Sequence, residues 1–375
     1  MIGQAMKERY RAGSHIRCIL TIALLSLASM TTAFVIGNCH RTREYNQATT
    51  LCKRTILPSW VLKSLGNNYL DFTNARNNVI DVQAQVTASQ PFPSIRSNNR
   101  LPVVAGNWKL NPSTIQEAST LLKLLASNFI HHRNGDTTPE VIVFPPHPYL
   151  ERAVCLLEGT GIKVGAQNVG AETKGAFTGE VSPSMVRSLG CDYVMVGHSE
   201  RRTLYSESDE VINAKIKLSL QESGLKIILC VGETLEEYEN NLLSSVVNFQ
   251  IRKALDGVRM EDIVSSISLV DSVRLVVAYE PVWAIGTGKV ATPTQAQVAH
   301  VAVRKTLAEL YGLEVAEKIQ IQYGGSVTPD SISDLISMPD VDGALVGGAS
   351  LAADGFTRIV DGAAESLSSY KHPRF

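Results

Sequence analysis

The chain has 375 residues, which exceeds a typical single domain and suits one α/β barrel of about 250 residues with an appendage. Its 44% hydrophobic and 19% charged residues are ordinary for a globular protein and exclude a largely disordered chain or a membrane protein with many spans. The net charge of −1 conceals 12 Lys/Arg against 4 Asp/Glu in residues 1–100 and a negative excess in the rest. We therefore expect two parts with different roles, and no nucleic-acid partner because the acidic part offers no broad basic face.

The N-terminal part begins like a secretory signal. Four basic residues, Lys7, Arg9, Arg11 and Arg17, precede a hydrophobic segment at 18–37, "CILTIALLSLASMTTAFVIG", that ends in small residues. A basic region followed by an apolar one predicts a cleaved signal peptide. A retained membrane anchor is the alternative, because the segment is just long enough to cross a bilayer.

Residues 38–100 are rich in Arg, Lys, Asn, Ser, Thr and Gln and show no clear periodicity. Such a segment cannot bury enough apolar surface to fold, so we predict that it is largely disordered. A signal peptide followed by a basic, acid-poor segment resembles the bipartite leader of proteins that reach secondary plastids of the apicoplast type through the secretory pathway. The alternatives are a secreted protein with a disordered pro-segment, a membrane-anchored protein, or a cytosolic one if the leader is not used. We place the leader at 1–100 and the folded domain at 101–375.

From Leu101 onward, short β-branched runs alternate with longer amphipathic ones. Eight runs predict strands: "VVAGNW" (103–108), "VIVFPP" (141–146), "IKVGAQN" (162–168), "YVMVGH" (193–198), "KIILCVG" (226–232), "RLVVAYEP" (274–281), "IQIQYGG" (319–325) and "GALVGGAS" (343–350). Their continuously apolar character indicates burial on both faces, hence a parallel sheet with crossover helices. Eight such repeats predict a closed (β/α)₈ barrel rather than an open doubly wound sheet.

Two of the intervening runs carry clear helix boundaries. The first, "STIQEASTLLKLLASNFI", opens with a Ser/Thr cap, and the second, "TPTQAQVAHVAVRKTLAELYG", has Pro in its first turn and ends at Gly312. In a barrel of this kind, the loops after the strands form the active face. The polar residues fall there: Asn107 and Lys109 after the first strand, Gln167 and Asn168 after the third, His198 after the fourth, and Glu280 after the sixth. This convergence predicts a functional site at one rim of the barrel.

The cysteines do not indicate a metal site. They are Cys18, Cys39, Cys52, Cys155, Cys191 and Cys230. None forms a CxxC pair or a metal-spaced cluster with histidine. The three in the acidic part are widely separated, and we expect buried thiols in a reducing compartment rather than a disulfide framework.

The strand ends read, in chain order, "GNWK", "AQN", "GAFTGE", "GHSERR", "CVGE", "AYEPVWAIGTGK", "YGGSV" and "LVGGASL". Together they resemble the triosephosphate isomerase family across residues 101–370. The resemblance implies a homodimer that interconverts D-glyceraldehyde 3-phosphate and dihydroxyacetone phosphate through an enediolate, with no metal and no cofactor. Its small-molecule partners would be these triose phosphates, and the mature enzyme would not contact a membrane.

The resemblance also implies a role for each catalytic side chain. Glu280 would be the general base and His198 a neutral electrophile that polarises the substrate carbonyl. Lys109 would supply a fixed positive charge, and Asn107 would donate a hydrogen bond towards the substrate oxygens. Glu200 would be the acid that pairs with Lys109.

The phosphate site implied by the resemblance is mostly backbone, at Gly286, Ser326, Gly347 and Gly348. The lid over it would consist of Pro281, Val282, Trp283, Ala284, Ile285, Gly286, Thr287, Gly288 and Lys289. Phe177 and Thr178 would lie in a loop that inserts into the partner subunit, with Gln167 and Asn168 at the same contact. Cys230 would be the family's buried cysteine close to the base.

Two segments look longer than usual for the family, namely residues 131–140 and the stretch between Cys230 and Glu280. Neither touches a catalytic motif, so we expect surface elaboration. One rival hypothesis is another phosphate-binding barrel acting on a different sugar phosphate, against which "AYEPVWAIGTGK" and "GHSERR" argue. A second rival is a non-catalytic scaffold, which loss of Glu280, His198 or Lys109 would have indicated. All three are present.

Overall fold

The computed structural model describes residues 100–130, 138–222, 224–265, 272–285 and 291–371. The predicted leader therefore lies outside the described residues except for Arg100, and so does most of the long segment 131–140. Among the described residues, no helix has the length and apolar character needed to cross a bilayer.

The described residues form ten strands and twelve α-helices. The strands are β1 (Val103–Asn107), β2 (Glu140–Phe144), β3 (Lys163–Ala166), β4 (Tyr193–Val196), β5 (Lys226–Val231), β6 (Val264–Ser265), β7 (Ser272–Val273), β8 (Leu275–Tyr279), β9 (Gln320–Tyr323) and β10 (Gly343–Val346). The helices are α1 (Ile115–Phe129), α2 (Leu150–Leu157), α3 (Pro183–Ser188), α4 (Ser199–Leu204), α5 (Asp209–Gln221), α6 (Leu235–Glu239), α7 (Leu243–Ala254), α8 (Met260–Ile263), α9 (Pro293–Tyr311), α10 (Leu313–Ala316), α11 (Ile332–Ile336) and α12 (Ala353–Lys371).

Eight parallel strands close into a barrel in the order β1-β10-β9-β8-β5-β4-β3-β2. Each of the eight predicted runs overlaps one of these strands, and only β2 begins before its run, at Glu140, so the predicted (β/α)₈ barrel is confirmed. The remaining two strands pair antiparallel, with Val264 opposite Val273, in the segment between β5 and β8.

The strands are buried on both faces, as their apolar runs predict. One face fills the barrel interior with Val103, Ala105, Ile142, Phe144, Tyr193, Met195, Ile228, Cys230, Val276, Ala278 and Leu345. The other face packs under the helices in a second, larger cluster. Each large side chain that is removed from water in this way contributes about 1.5–3 kcal/mol to folding.

The predicted helix boundaries are confirmed at α1 and α9. The hydroxyl of Thr114 accepts a hydrogen bond from the Glu117 N–H at 3.2 Å, and the Glu117 carboxylate accepts from the Thr114 N–H at 3.0 Å. Thr292 caps α9 in the same way, and Pro293 occupies its first position. The helix ends at Gly312, whose φ of 81° is a left-handed conformation that glycine adopts without strain.

A buried ionic network closes the end of the barrel opposite the strand ends that carry the motifs. The side chain of Asp342 is fully buried and accepts hydrogen bonds from Arg100 Nε at 2.8 Å, Arg304 Nη2 at 2.6 Å and the Ile321 N–H at 3.0 Å. Three donors around one carboxylate offset the cost of burying its charge. Arg100 is thereby packed onto the barrel, with 5% of its surface exposed.

His300 lies on α9 and is completely buried. Its Nδ1 lies 3.0 Å from the carbonyl oxygen of Asp340 and so donates to it, and its ring meets Tyr279 edge-on. Burial is the main reason that the pKa of His300 falls to about 4. The folded protein therefore holds this ring neutral.

We predict an acid-dependent loss of stability from this histidine. Because the folded pKa lies below the unfolded value, its contribution is complete above about pH 6.5 and declines as the pH falls to about 4, by about 3 kcal/mol in all. Urea unfolding at several pH values measures this loss. His300→Asn keeps a donor for Asp340 but cannot titrate, so it should lose about 3 kcal/mol less than the wild type over this range. An equal loss in both proteins would contradict the assignment.

Candidate active site

Glu280 directly follows β8 and is almost completely buried, with 2% of its surface exposed. Its N–H donates to the carbonyl of Val231 on the neighbouring strand β5 at 2.8 Å. One carboxylate oxygen, Oε2, accepts from the backbone N–H of Ser199 at 2.9 Å, and Oε1 lies 3.0 Å from Nε2 of His198. These partners stabilise a charge that has lost most of its hydration.

The pKa values of Glu280 and His198 depend on each other. Burial raises the pKa of Glu280, but His198 and the Ser199 N–H outweigh burial and hold the pKa of Glu280 below its ordinary value. Burial lowers the pKa of His198, but the Glu280 carboxylate outweighs it and raises the pKa of His198. The carboxylate is therefore ionised at neutral pH, and the contact favours a proton on Nε2.

The other ring nitrogen of His198 supports the neutral form. Nδ1 accepts a hydrogen bond from the Glu200 N–H at 3.2 Å, so it presents a lone pair and the single proton of a neutral ring sits on Nε2. The charge of Glu280 favours a second proton as long as the two side chains touch. That His198 is neutral with substrate bound thus stays a prediction. It requires that the contact between His198 and Glu280 be broken.

Lys109 has a left-handed backbone, with φ of 52°. A β-carbon makes this conformation costly, and two contacts hold it. The Lys109 N–H donates to Oδ1 of Asn107 at 3.0 Å, and the Lys109 carbonyl accepts from Nε2 of Gln167 at 2.9 Å. The backbone turn aims the ammonium group at Glu200, whose Oε1 lies 2.6 Å away.

Gln167 makes two hydrogen bonds inside its own subunit. Its Nε2 donates to the carbonyl of Phe144 at 2.8 Å as well as to that of Lys109. From the sequence, Gln167 is predicted to lie at the rim of the barrel, and the family resemblance implies a contact between subunits. The structure places it behind Lys109, where it ties the loops after β1 and β2 together.

A cavity of about 430 Å³ opens at this rim of the barrel. Asn107, Lys109, His198 and Glu200 line it, and this volume suits a small-molecule ligand. Glu280 borders instead a smaller cavity of about 220 Å³ on its other side, with Ser199. We expect the carboxylate to turn away from Ser199 when a ligand occupies the larger cavity.

The predicted phosphate residues lie around the same rim. Gly347 is adjacent to Lys109, since a Cβ on Gly347 would come within 3.8 Å of the lysine Cε. Gly348 begins a short 3₁₀ turn, and Ser326 is exposed just after β9. Gly286, the fourth predicted residue, lies outside the described residues.

Comparison with known proteins decides the family. The family model for triosephosphate isomerase matches residues 102–363. The chain is 48% identical over 263 residues to the triosephosphate isomerase of Carboxydothermus hydrogenoformans, which covers 70% of this chain and 99% of the relative. It is 49% identical over 262 residues to that of Roseiflexus sp. (strain RS-1), covering 70% and 97%. It is 47% identical over 261 residues to that of Endomicrobium trichonymphae, covering 70% and 98%.

This chain belongs to the triosephosphate isomerase family. It is therefore an isomerase, and the expectation drawn from the eight motifs is confirmed. The matched residues 102–363 contain every catalytic residue named above. The predicted leader, residues 1–100, precedes the matched region.

Of the predicted lid, residues Pro281 to Ile285 are described. Val282–Ala284 forms a 3₁₀ turn, and the Val282 N–H donates to the carbonyl of Glu233 at 3.2 Å. Trp283 is 8% exposed, and its Nε1 donates to Oε1 of the buried Glu233 at 2.8 Å. The lid residues Gly286, Thr287, Gly288 and Lys289 lie outside the described residues.

The predicted dimer residues have exposed surfaces on the single chain. Phe177 is 46% exposed, and Thr178 is exposed beside it. Leu110 and Tyr205, which line the same cavity, are 94% and 68% exposed, and Leu204, next to Tyr205 in the chain, is 72% exposed. An apolar rim of this kind is typical of a surface that contacts another protein.

Cys155, Cys191 and Cys230 are free thiols, and the prediction that all three are buried holds for two of them. Cys191 and Cys230 are buried, whereas Cys155 is exposed on α2, so the prediction was wrong for Cys155. Its neighbours explain this, because α2 turns Leu150, Ala153 and Leu157 to the core and leaves position 155 on the outer face. Within the described ranges, no cluster of three His, Cys, Asp or Glu residues could hold a metal ion.

Three residues that contribute to the site were not predicted from the sequence. Ser199 and Glu233 were inside quoted motifs, "GHSERR" and "CVGE", but had no assigned role. Tyr238 on α6 was in no motif, and its ring stacks on Trp283 with 4.5 Å between centroids. The expectation that the segment between Cys230 and Glu280 touches no catalytic motif was therefore wrong, because a helix there packs directly on the lid turn.

We predict that Gln167→Met lowers kcat/KM of isomerisation by about tenfold, because the Lys109 carbonyl loses the Gln167 donor and the strained Lys109 backbone is released, whereas the Phe144 carbonyl keeps the Trp108 N–H. Steady-state kinetics on folded protein measures this effect. Gln297→Met is the matched control, since Gln297 also donates to a residue distant in the chain, Asp340, but does so at the other end of the barrel and is more deeply buried than Gln167. It should lower stability and leave kcat/KM unchanged. An equal kcat/KM for Gln167→Met and wild type would refute the role of Gln167.

Proposed function

We propose that this chain interconverts D-glyceraldehyde 3-phosphate and dihydroxyacetone phosphate, with Glu280, His198 and Lys109 as the reacting side chains. One observation carries the assignment of residues. A buried ionised carboxylate, an imidazole 3.0 Å from it, and a lysine ammonium come together at one rim of the barrel. The family supplies the reaction, and this geometry supports the role of each group.

Glu280 moves the proton. Its carboxylate takes a proton from the carbon beside the substrate carbonyl, the C–H electron pair forms the carbon–carbon double bond, and negative charge collects on oxygen. The protonated Glu280 then returns the proton to the neighbouring carbon. In the free chain, hydrogen bonds to His198 and Ser199 hold the pKa of Glu280 low. Their loss when substrate enters raises its basicity at the moment that it must accept a proton.

His198 and Lys109 stabilise the charge that develops on the substrate oxygens. With Nδ1 occupied by the Glu200 N–H, the Nε2–H of His198 donates to the carbonyl oxygen and relays a proton between the two oxygens. The ammonium of Lys109 attracts both the enediolate and the phosphate, and Glu200 restricts where it points. Asn107, which is 5% exposed, fixes the Lys109 backbone from the substrate side.

The phosphate would bind at Ser326, Gly347 and Gly348, with Gly286 from the lid. Backbone N–H groups are the natural donors there, because glycine lets a ligand approach the chain closely. The adjacent position of Gly347 and Lys109 supports this arrangement. Closure of the lid would then exclude water from the enediolate, which otherwise eliminates phosphate.

We further propose a homodimer in which Phe177 and Thr178 contact the partner near its active site. The support is the exposed apolar surface of Leu110 and Tyr205 at the cavity and of Leu204 next to Tyr205. Burying these side chains would provide hydrophobic stabilisation that the single chain lacks.

The test of the proposed function is a coupled assay of the purified full-length chain with Glu280→Gln as the key variant. Glutamine keeps the shape but cannot accept the proton, so we expect kcat to fall by at least about three orders of magnitude. Binding of 2-phosphoglycolate, a phosphate ligand that mimics the enediolate, should persist in the variant. A wild type that binds this ligand without turnover would favour the scaffold alternative.

For the leader we propose delivery to a plastid-like organelle through the secretory pathway. The support is the order of basic, hydrophobic and basic acid-poor segments in residues 1–100. Fusing residues 1–100 to a fluorescent protein should give a signal confined to an organelle, and deleting residues 18–37 should make it cytosolic. A diffuse cytosolic signal from the intact leader would refute the proposal, and label at the cell surface would favour the anchor.

A further inference from the structure

Tyr238 contacts both the first turn of the predicted lid and the helix that follows the lid. It lies on α6, half-buried, with its ring stacked on Trp283 at 4.5 Å between centroids and 28° between planes. Its hydroxyl accepts a hydrogen bond from Nε2 of Gln295 at 2.7 Å. Trp283 belongs to the turn that leads into the lid, and Gln295 lies in the first turn of α9, the helix that follows the lid.

The turn that Tyr238 covers is directly connected to Glu280. Oε1 of Glu233 accepts from both Trp283 Nε1 and the Tyr279 hydroxyl, each at 2.8 Å. Tyr279, directly before Glu280, and Trp283, three residues after it, thus both bind the buried Glu233 carboxylate. Glu233 holds the edge of the Trp283 indole, and a contact with its face restricts the tilt of the ring. Tyr238 supplies such a contact.

Gln295 donates a hydrogen bond to the Tyr238 hydroxyl and also belongs to the cap of α9. Its Oε1 accepts from the Thr292 N–H at 2.9 Å in the capping box of α9, which leaves Nε2 to donate to Tyr238. The first turn of α9 is rigid because of this cap. The Tyr238 ring is therefore held on one side by a helix start and presents its face to Trp283 on the other.

We propose that Tyr238 is a positioning residue for the isomerase reaction, which orients the Trp283 turn and through it Glu280 and the start of the lid. The inference rests on the proposed function. Tyr238 touches neither the cavity nor the reacting atoms, so it acts only through Trp283. A ring that merely filled space would affect stability and not catalysis.

The experiment uses the full-length chain labelled with 5-fluorotryptophan, in wild type, Tyr238→Phe and Tyr238→Leu. The first variant removes the bond to Gln295 and the second also removes the stacked ring. Tyr311→Phe is the matched control, because the Tyr311 hydroxyl donates to the Val258 carbonyl at 3.1 Å and plays no part in the site. Measured are kcat, KM, the affinity for 2-phosphoglycolate, and the fluorine signal of Trp283, assigned with Trp283→Phe.

We expect kcat to fall about threefold to tenfold in Tyr238→Phe and about tenfold to a hundredfold in Tyr238→Leu, with a smaller change in KM. The affinity for 2-phosphoglycolate should fall in the same order, and the Trp283 signal should shift or broaden. Tyr311→Phe should stay within about twofold of wild type, since it loses one hydrogen bond of ordinary strength far from the lid turn.

Two outcomes separate this inference from the function on which it rests. A wild-type chain without isomerase activity contradicts the proposed function. An active wild type whose two Tyr238 variants keep kcat, ligand affinity and the Trp283 signal, and lose only thermal stability, contradicts the role of Tyr238 and leaves the function intact.

Discussion

The site depends on one buried contact, the 3.0 Å approach of the Glu280 carboxylate to Nε2 of His198. Both side chains are almost fully removed from water, at 2% and 6% exposed. A carboxylate in such a place is expensive unless hydrogen bonds replace its hydration. His198 and the Ser199 N–H supply that replacement in the free chain, and the substrate must supply it during the reaction. The same burial that makes the carboxylate costly makes it a strong base once these partners are displaced.

The barrel makes this contact possible by bringing two strands that are not neighbours close together at one rim. His198 follows β4 and Glu280 follows β8, with β5 between them in the sheet. The residue directly after β5 must therefore have no side chain. A Cβ on Gly232 would lie 1.8 Å from the Glu280 carbonyl oxygen, so only glycine fits. Glu233 follows immediately and accepts the hydrogen bond from Trp283. The two residues directly after β5 therefore leave space for Glu280 and hold the segment that follows it.

Much of the architecture could be predicted from the sequence because burial on two faces leaves a direct mark. Strands such as "VIVFPP" and "KIILCVG" are apolar throughout, and eight of them in alternation with amphipathic runs leave few topologies open. The caps at Thr114 and Thr292 are equally local signals. The roles of Glu280, His198 and Lys109, in contrast, came from resemblance, since no periodicity distinguishes a base from an exposed glutamate.

What the sequence did not predict are contacts between side chains distant along the chain. Gln167 bonds a carbonyl 58 residues away, and Gln295 bonds Tyr238 across 57 residues. Such pairs depend on how loops cross the rim, which spacing alone does not encode. Tyr238 was missed because it matched no motif, and Cys155 was misjudged because compositional preference for buried cysteine does not say which face of a helix it occupies.

The most direct measurement is a high-resolution crystal structure of the chain with 2-phosphoglycolate bound. The account predicts that the Glu280 carboxylate has left the Ser199 N–H and turned to the ligand, with His198 Nε2 and Lys109 Nζ on the ligand's carboxylate oxygens. A bound ligand with Glu280 still on Ser199, and with the imidazole and ammonium groups directed elsewhere, would contradict the account.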